Sequence, residues 1–464
     1  MEEQQRPEER PANPRRRQRS QAQIFKEAYL PAIIAGTALL LILVFIIGSI
    51  VRGVQRNKLE QQASLAASSS IAAEQDRLNQ EAAALAQEAA ALAAHYDYQN
   101  ALQVLNSFQG DISQFPNLSQ KYDEYTNAQN ALVLWSDPGQ VLNLSFQLLI
   151  ADPGRAFRDE TYGTSYNRNF ITTGEFSAIL QQLYDNGYIL VRLSDIAGEL
   201  YLPADKKPLI LTQTQVNYYT YMTDSDGDKL PDGGGDGFAS KLVLDEQANF
   251  TCEMVDSSGQ TVTGDYDLIP ILEAFIQEHP DFSFKNARAI LAVTGYDGLF
   301  GYRTNPQAQS TFGAENYNEQ CSGATAIIEA LKNTGYELAC YTYGNIGYGA
   351  STSEQILADL EKWRTEVSPI LGDTDILVYA KNSDITSSTA AYSGDKFDTL
   401  KSFGFTRYLG FCNDGKPWFA SDISCIRQGR LMVTGSNIAY HPEWFTGIFD
   451  TASVLDSTRG TIPS

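Results

Sequence analysis

Histidine is nearly absent. The 464 residues contain three, His95, His279 and His441. No HxxH or HExxH pair brings two imidazoles together, so the usual seed of a zinc hydrolase is missing. Cysteine is scarce as well. Cys252, Cys321, Cys340, Cys412 and Cys425 form no CxxC pair, which excludes a zinc ribbon. Five is odd, so at least one thiol has no partner in the chain, and Cys412 and Cys425 are near enough in sequence to be a candidate disulfide. There is no GxSxG elbow, no P-loop and no GxGxxG turn after a strand, so serine-hydrolase and nucleotide chemistry find no seat. Basic side chains are the minority, 34 against 56 acidic, for a net charge of −22. Such a surface repels nucleic acid and stays soluble.

Charge is also missing from one long run, and there its absence is informative. Pro31 to Val51 reads PAIIAGTALLLILVFIIGSIV, 21 residues without an ionisable side chain. At about 1.5 Å per residue such a helix crosses a hydrocarbon core of roughly 30 Å. A cleaved signal peptide would have a shorter apolar stretch and a small-residue cleavage site. Here Arg52, Arg56 and Lys58 follow instead. Seven basic residues precede the run (Arg6, Arg10, Arg15, Arg16, Arg17, Arg19 and Lys26), so the positive-inside rule puts the N-terminus in the cytoplasm and the rest outside. Residues 1–27 carry 7 basic and 5 acidic side chains, which leaves 27 and 51, net −24, for the remainder. Residues 1–30 read as a disordered basic tail able to touch anionic lipid, and 31–51 as a membrane span.

Residues 52–142 read as a helical stalk. Neither Gly nor Pro interrupts Gln55 to Phe108, and Ala, Gln, Glu and Leu dominate. Ile71, Leu78, Leu85 and Leu92 recur every seven residues with Ala82 and Ala89 between them. That spacing leaves open a coiled coil, a helix folded on the next segment and a lone spacer. Next come YDYQNALQVLNSFQ and NLSQKYDEYTNAQNAL, broken at Phe115-Pro116-Asn117, which predict one tetratricopeptide-like helical hairpin. One pair cannot make a solenoid.

From residue 143 to 464 short apolar runs alternate with amphipathic ones. Strands are expected at Ser145–Ile150, Ile189–Arg192, Leu209–Thr212, Ala289–Val293, Glu337–Cys340, Ile376–Tyr379, Arg407–Gly410 and Arg430–Val433. Helices are expected at Thr173–Asn186, Leu268–His279, Gln320–Asn333 and Ser353–Val367. Repeated βα units imply a parallel sheet, and about this many imply an α/β barrel whose site lies at the C-terminal ends of its strands.

Several segments carry a family resemblance. They are DPGRAF, YNRNFITTGEFSAILQQLYDNGYILVRLSDIA, KKPLILTQTQVNYYTYM, DGFASKLVLDE, GDYDLIPILEAFIQEHPDFSF, AILAVTGYDGLFGYRT, IIEALKNTGYELACYTYGNIGYG, GRLMVTG and VLDSTRG. The region resembles the polysaccharide deacetylase family (the NodB-homology domain) in a membrane-anchored Gram-positive form. The resemblance implies a distorted (β/α) barrel, a glycan substrate and removal of acetyl groups. It also implies one divalent metal, Zn²⁺, held by an Asp and two His, with a second Asp as base and a later His as acid. The metal would lower the pKa of its bound water and polarise the acetyl carbonyl.

The matching positions depart from that pattern. Thr214 and Gln215 stand where the Asp pair is implied, Tyr341 and Asn345 where the two His are implied, and Gln147 where a further His is implied. None offers a carboxylate or an imidazole. His441 and, in GYDGLFGYRT, Asp297 and Arg303 are the candidate remnants of the site. Tyr218, Tyr219, Tyr221, Tyr296, Tyr341, Tyr343 and Tyr348 fall in or beside loops after expected strands, where a ring could stack on sugar or simply pack. In DSDGDKLPDGGGD, Asp224, Asp226, Asp228 and Asp232 have the spacing of a candidate Ca²⁺ loop, with a solvated turn as the plain alternative. Three functions stay open: a catalytically impaired, glycan-binding relative; an active carbohydrate deacetylase with a rebuilt site; and a structural envelope protein.

Overall fold

The computed structural model describes residues 22, 25–223 and 236–463. The Asp224, Asp226, Asp228 and Asp232 loop lies outside the described residues. The chain groups into two units, Met1–Glu81 and Ala82–Ser464.

In the first unit the expected apolar run lies in a helix, Leu30–Ala94, that continues without a break into the expected stalk helix. Its apolar part is long enough to cross a membrane, and its side chains face outward, as with Leu41 and Phe45. The polar stretch beyond is braced by Arg56–Glu60, Arg77–Glu74 and Arg77–Glu81 pairs at helical spacing.

The second unit opens with the end of that helix. Its buried stripe is alanine, Ala82, Ala86 and Ala89, while Leu85 and Leu92 of the heptad series are half-buried beside it. The hairpin follows as Tyr98–Asn106 and Pro116–Asn130. Pro116 opens the second helix, at the position where its missing N–H costs no hydrogen bond. Ala101, Leu105, Leu118 and Tyr125 are buried between the helices.

Eight parallel strands follow: β1 Leu142–Phe146, β2 Tyr188–Leu190, β3 Lys207–Thr214, β4 Ile290–Val293, β5 Glu337–Cys340, β6 Ile376–Val378, β7 Arg407–Phe411 and β8 Ile426–Met432. Seven close into a ring in the order β7-β6-β5-β4-β3-β1-β8, with β8 pairing back to β7. The eighth, β2, pairs only the start of β3, on the side where β4 pairs its end. This offset distorts the (β/α) barrel. The expected helices appear as Thr173–Asp185, Leu268–Glu278, Ala314–Thr334 and Ser353–Lys362. A three-stranded antiparallel sheet, Lys241–Leu244, Phe250–Val255 and Thr261–Gly264, interrupts the βα pattern between β3 and β4.

Alternation along each strand makes two cores. Ile210, Ala292, Ala339, Val378 and Leu409 point into the barrel, while Leu211, Leu291, Leu338, Leu377 and Tyr408 pack outward against the helices. The inner core is polar on one side. Thr212 Oγ1 donates to Asn143 Oδ1 at 2.9 Å, Asn143 Nδ2 to Gln428 Oε1 at 3.0 Å, and Gln428 Nε2 to the Val141 carbonyl at 3.2 Å. The C-terminal segment is tied down by a buried ion pair, Arg459 with Glu175, whose carboxylate also accepts from the Thr172 and Asp456 amides.

The candidate disulfide is not formed, and the register forbids it. Cys425 precedes Ile426, which pairs with Arg407, and Cys412 follows Phe411, which pairs with Arg430. The two thiols therefore sit at opposite ends of the β7–β8 ladder, about 20 Å apart at roughly 3.3 Å per residue, far beyond disulfide reach. All five cysteines are free thiols.

Candidate functional site

The loops after β1, β3, β4, β5 and β6 meet at the C-terminal end of the barrel, the end on which such barrels build sites. Backbone strain is concentrated there. Gln215, Tyr218, Asp297, Phe300, Thr342, Asn345, Lys381 and Asn382 all have φ between 50° and 65°, eight of the twelve left-handed non-glycine residues among those described. Each costs of order 1–3 kcal/mol and persists only where its surroundings enforce it. Asp359 enforces the loop after β5. Its carboxylate accepts from the Tyr343 and Gly344 amides at 2.7 and 2.8 Å and from the Tyr348 hydroxyl at 2.8 Å.

The positions at which the resemblance implies metal ligands do converge here. Asn345 Nδ2 donates to Gln215 Oε1 at 3.3 Å, Gln215 Nε2 to Gln147 Oε1 at 3.2 Å, and Gln147 Nε2 to the Asn169 carbonyl at 3.1 Å. Thr214 Oγ1 is spent on the Phe146 carbonyl at 3.2 Å. Tyr341 is buried, and burial pushes its phenol above the ordinary tyrosine range, away from the phenolate a metal would want. The cluster is neutral and bonded to itself. Its donor set does not fit Zn²⁺, and no step through a metal follows from it.

The histidines are engaged elsewhere. His441 is half-buried, stacks on Trp444 with ring centres 4.1 Å apart and meets Glu443 at 3.2 Å. His279 packs on Tyr184 and Phe275. His95 Nδ1 bonds the Ser283 carbonyl at 3.1 Å, and burial holds its pKa down.

Asp297 and Arg303 are structural ties. Asp297 accepts from the Thr220 amide at 2.5 Å and its hydroxyl at 3.0 Å. Arg303 is buried and donates to the Asp297 and Tyr218 carbonyls at 3.0 and 2.9 Å. Together they fix the loop after β3 to the loop after β4. Beside them lies a cavity of about 270 Å³, lined by Thr220, Tyr221, Tyr296, Asn305, Gln307 and Thr311 among others.

The tyrosines divide by burial. Tyr218 is a core residue whose hydroxyl donates to the buried Asp267 at 2.6 Å. Tyr341 and Tyr348 are also buried, so none of these three rings can stack on a sugar. Tyr219 is buried too, but it supports the surface. Tyr221 stacks on it at 5.7 Å and 17°, and Tyr296 tilts against it at 5.8 Å. Tyr221 and Tyr296 are 41% and 61% exposed, enough to offer their faces. Tyr343 is half-buried, its hydroxyl on Glu366. Sequence reasoning missed Tyr162, whose exposed ring lies 5.3 Å from Tyr221. The Tyr-rich run around it was the available signal. A larger cavity, about 760 Å³, opens at the opposite end of the barrel, where Arg407 joins Glu337 and Asp375 at the strand starts. Side chains at that end serve stability.

The arrangement defines a closed parallel (β/α) barrel with a neutral amide cluster and an exposed tyrosine group at its mouth. No protein-family model matches the sequence, and no curated protein matches it. Among solved structures, the chain is similar to the Streptococcus pyogenes deacetylase PplD in complex with acetate (11% identity, TM-score 0.36, 66% of this chain and 95% of that one). It is similar also to a de-N-acetylase from Aggregatibacter actinomycetemcomitans (12%, 0.34, 64% and 95%) and to IcaB from Ammonifex degensii (13%, 0.32, 66% and 96%). Likenesses this distant carry no argument about chemistry.

Proposed function

We propose that the chain is a membrane-anchored, polysaccharide deacetylase-like protein that binds glycan outside the cell without the family's metal-dependent hydrolysis. Residues 1–30 are its cytoplasmic tail, 31–51 its span, 52–142 a helical stalk and 143–464 the binding domain. One observation carries the reading. Every position where the resemblance implies a metal ligand or base holds a neutral side chain, and three of these, Gln147, Gln215 and Asn345, are spent on one another. An amide neither takes a proton near neutral pH nor anchors a zinc ion. At the same end of the barrel the exposed rings of Tyr221 and Tyr296 border a cavity of about 270 Å³, and such faces suit the apolar faces of sugar rings.

The test has two arms. The full chain, supplied with Zn²⁺, releases no acetate from chitooligosaccharide or peptidoglycan fragments above the metal-only control. The same chain binds members of a glycan array, and Tyr296→Ala or Tyr221→Ala weakens that binding about 3- to 10-fold, the worth of one lost ring contact. Stoichiometric zinc with turnover removes the reading.

A further inference from the structure

We propose that Tyr162 forms a second subsite beside the tyrosine-bordered cavity, so that the surface holds a single dissolved glycan chain across at least two consecutive sugar units. This rests on the glycan-binding reading above and extends it to the length and physical form of the ligand.

The cavity sets the first unit. At about 270 Å³ it lies below the roughly 300–1,000 Å³ of pockets that enclose a drug-sized ligand, so it has room for one sugar ring and not for a chain. Thr220, Asp297 and Arg303 are fixed walls, already tied to one another. Asn305 and Gln307 also line it, and neither carboxamide has a hydrogen-bond partner among the described residues. Each offers two N–H groups and a carbonyl, which match the hydroxyl or acetamido groups of a sugar.

Tyr162 sets the second unit. It does not line the cavity, yet its ring centre lies 5.3 Å from that of Tyr221, which does. That is about the spacing of neighbouring rings in an extended glycan chain. The ring is also held in place. The Asp159 carboxylate accepts from the Thr161 amide at 2.9 Å and from the Tyr162 amide, and the Tyr162 ring rests on the buried Tyr166 with centres 5.7 Å apart. Tyr219 supports Tyr221 and Tyr296 in the same way. Each of the three exposed rings thus leans on a buried tyrosine, and a side chain fixed before binding loses little conformational freedom on contact.

The tilts decide the form of the ligand. Tyr162 is inclined 55° to Tyr221, and Tyr296 is inclined 47° to Tyr219, which itself lies within 17° of Tyr221. Tyr221 is therefore coplanar with neither exposed neighbour. Coplanar rings would suit the flat face of a packed, insoluble polymer. Inclined rings meet successive sugars only where the chain turns between units, which a single dissolved chain can do and a chain locked in a packed array cannot. Both faces of a pyranose with equatorial substituents are rich in C–H groups, so consecutive units find a ring whichever face the turn presents.

Ligand-observed NMR titration of the full chain in nanodiscs tests this with N-acetylglucosamine and its β-1,4-linked tetramer. The tetramer is expected to bind about 3- to 10-fold tighter than the monomer, the worth of one added ring contact, and Tyr162→Ala to erase most of that gain. Tyr162→Phe keeps the ring and should keep the gain, which separates a lost ring face from a disturbed loop. Powdered chitin should retain the chain only in a form that free tetramer releases. A Tyr162→Ala chain that keeps the full gain overturns the inference, as does one that weakens monomer and tetramer alike. So does a Phe variant as weak as the Ala one, or retention on powder that the tetramer cannot release. Any of these, with Tyr296→Ala still weakening both sugars, leaves the glycan reading standing. If neither sugar binds, the inference falls, and a glycan array without a single bound member removes the reading beneath it as well.

Discussion

At the scale of single residues, the barrel domain pairs most of its buried arginines with a carboxylate. Glu175 and Arg459 are the clearest case. Each is about 1% exposed, and the carboxylate takes both guanidinium and backbone donors. Asp236 is handled differently. It is 8% exposed, accepts the Tyr166 hydroxyl at 2.5 Å and faces the carboxyl of Asp159. Burial, with Asp159 adding to it, pushes its pKa up from 3.8 to about 6, against the pull of Tyr166 and Arg155. An acid whose folded pKa is raised favours folding while it stays protonated. Its contribution is complete below about pH 4 and is lost as pH rises through about 6. Asp236→Asn removes a proton-linked group and keeps the Tyr166 hydrogen bond. Urea unfolding of the two chains from pH 4 to 7 should show wild type losing stability relative to the variant across that window, and parallel curves would contradict the assignment.

At the scale of elements, the apolar strands were legible and the polar ones were not. Glu337–Cys340 falls where the ELAC run puts it, and β2 to β7 lie within about two residues of expectation. β1 and β8 start earlier than their apolar patterns indicate. Asn143 and Gln428 fall outside the expected strands, yet they line the barrel interior and bond each other or the strand backbone. A polar interior cannot be told from a solvated surface by periodicity alone. The inserted sheet between β3 and β4 was missed because its apolar and polar residues alternate without a parallel-sheet run. In the candidate site, the amide positions were legible and converge. Of the seven tyrosines, for which stacking and packing were both open, Tyr218, Tyr219, Tyr341 and Tyr348 are buried, because a loop tyrosine can turn inward to a buried acceptor as readily as out to solvent.

No helix joins β7 to β8; a short strand, Phe419–Ser421, returns beside β8 instead. Trp418 does the covering there. Its indole donates to the Phe411 carbonyl at 2.9 Å and lies flat against Gly410 and Gly429. A Cβ on Gly429 would come within 2.2 Å of the indole nitrogen and 2.7 Å of Cys412 Sγ. Gly429→Ala should therefore cost about 1–3 kcal/mol in urea unfolding, the usual range for overpacking a core. Adding Trp418→Leu should return part of that loss as a coupling term, because the smaller, ringless side chain vacates the contact. Additive effects would show that the indole is not the clashing group.

At the scale of the whole molecule, charge and sulfur bear on the same question of topology. In the proposed orientation the barrel domain meets an oxidising compartment, yet its five cysteines are unpaired. Burial protects four of them, Cys321 being half-buried. It raises the Cys412 and Cys425 thiols to about 12 and about 11, and it pushes Cys252 and Cys340 well above the ordinary thiol range, so thiolate is scarce at these four. Orientation itself rests on seven basic residues before the apolar run against three after it, Arg52, Arg56 and Lys58. On intact cells a C-terminal epitope should be open to antibody and to added protease, and an N-terminal one closed. Changing Arg15, Arg16, Arg17 and Arg19 to Gln leaves Arg6, Arg10 and Lys26, an equal count on both sides, and should give a mixed population in which part of the N-terminal epitope becomes accessible. A wild-type chain that exposes its N-terminus would reverse the orientation and put the tyrosine-bordered mouth in the cytoplasm, away from any cell-wall glycan.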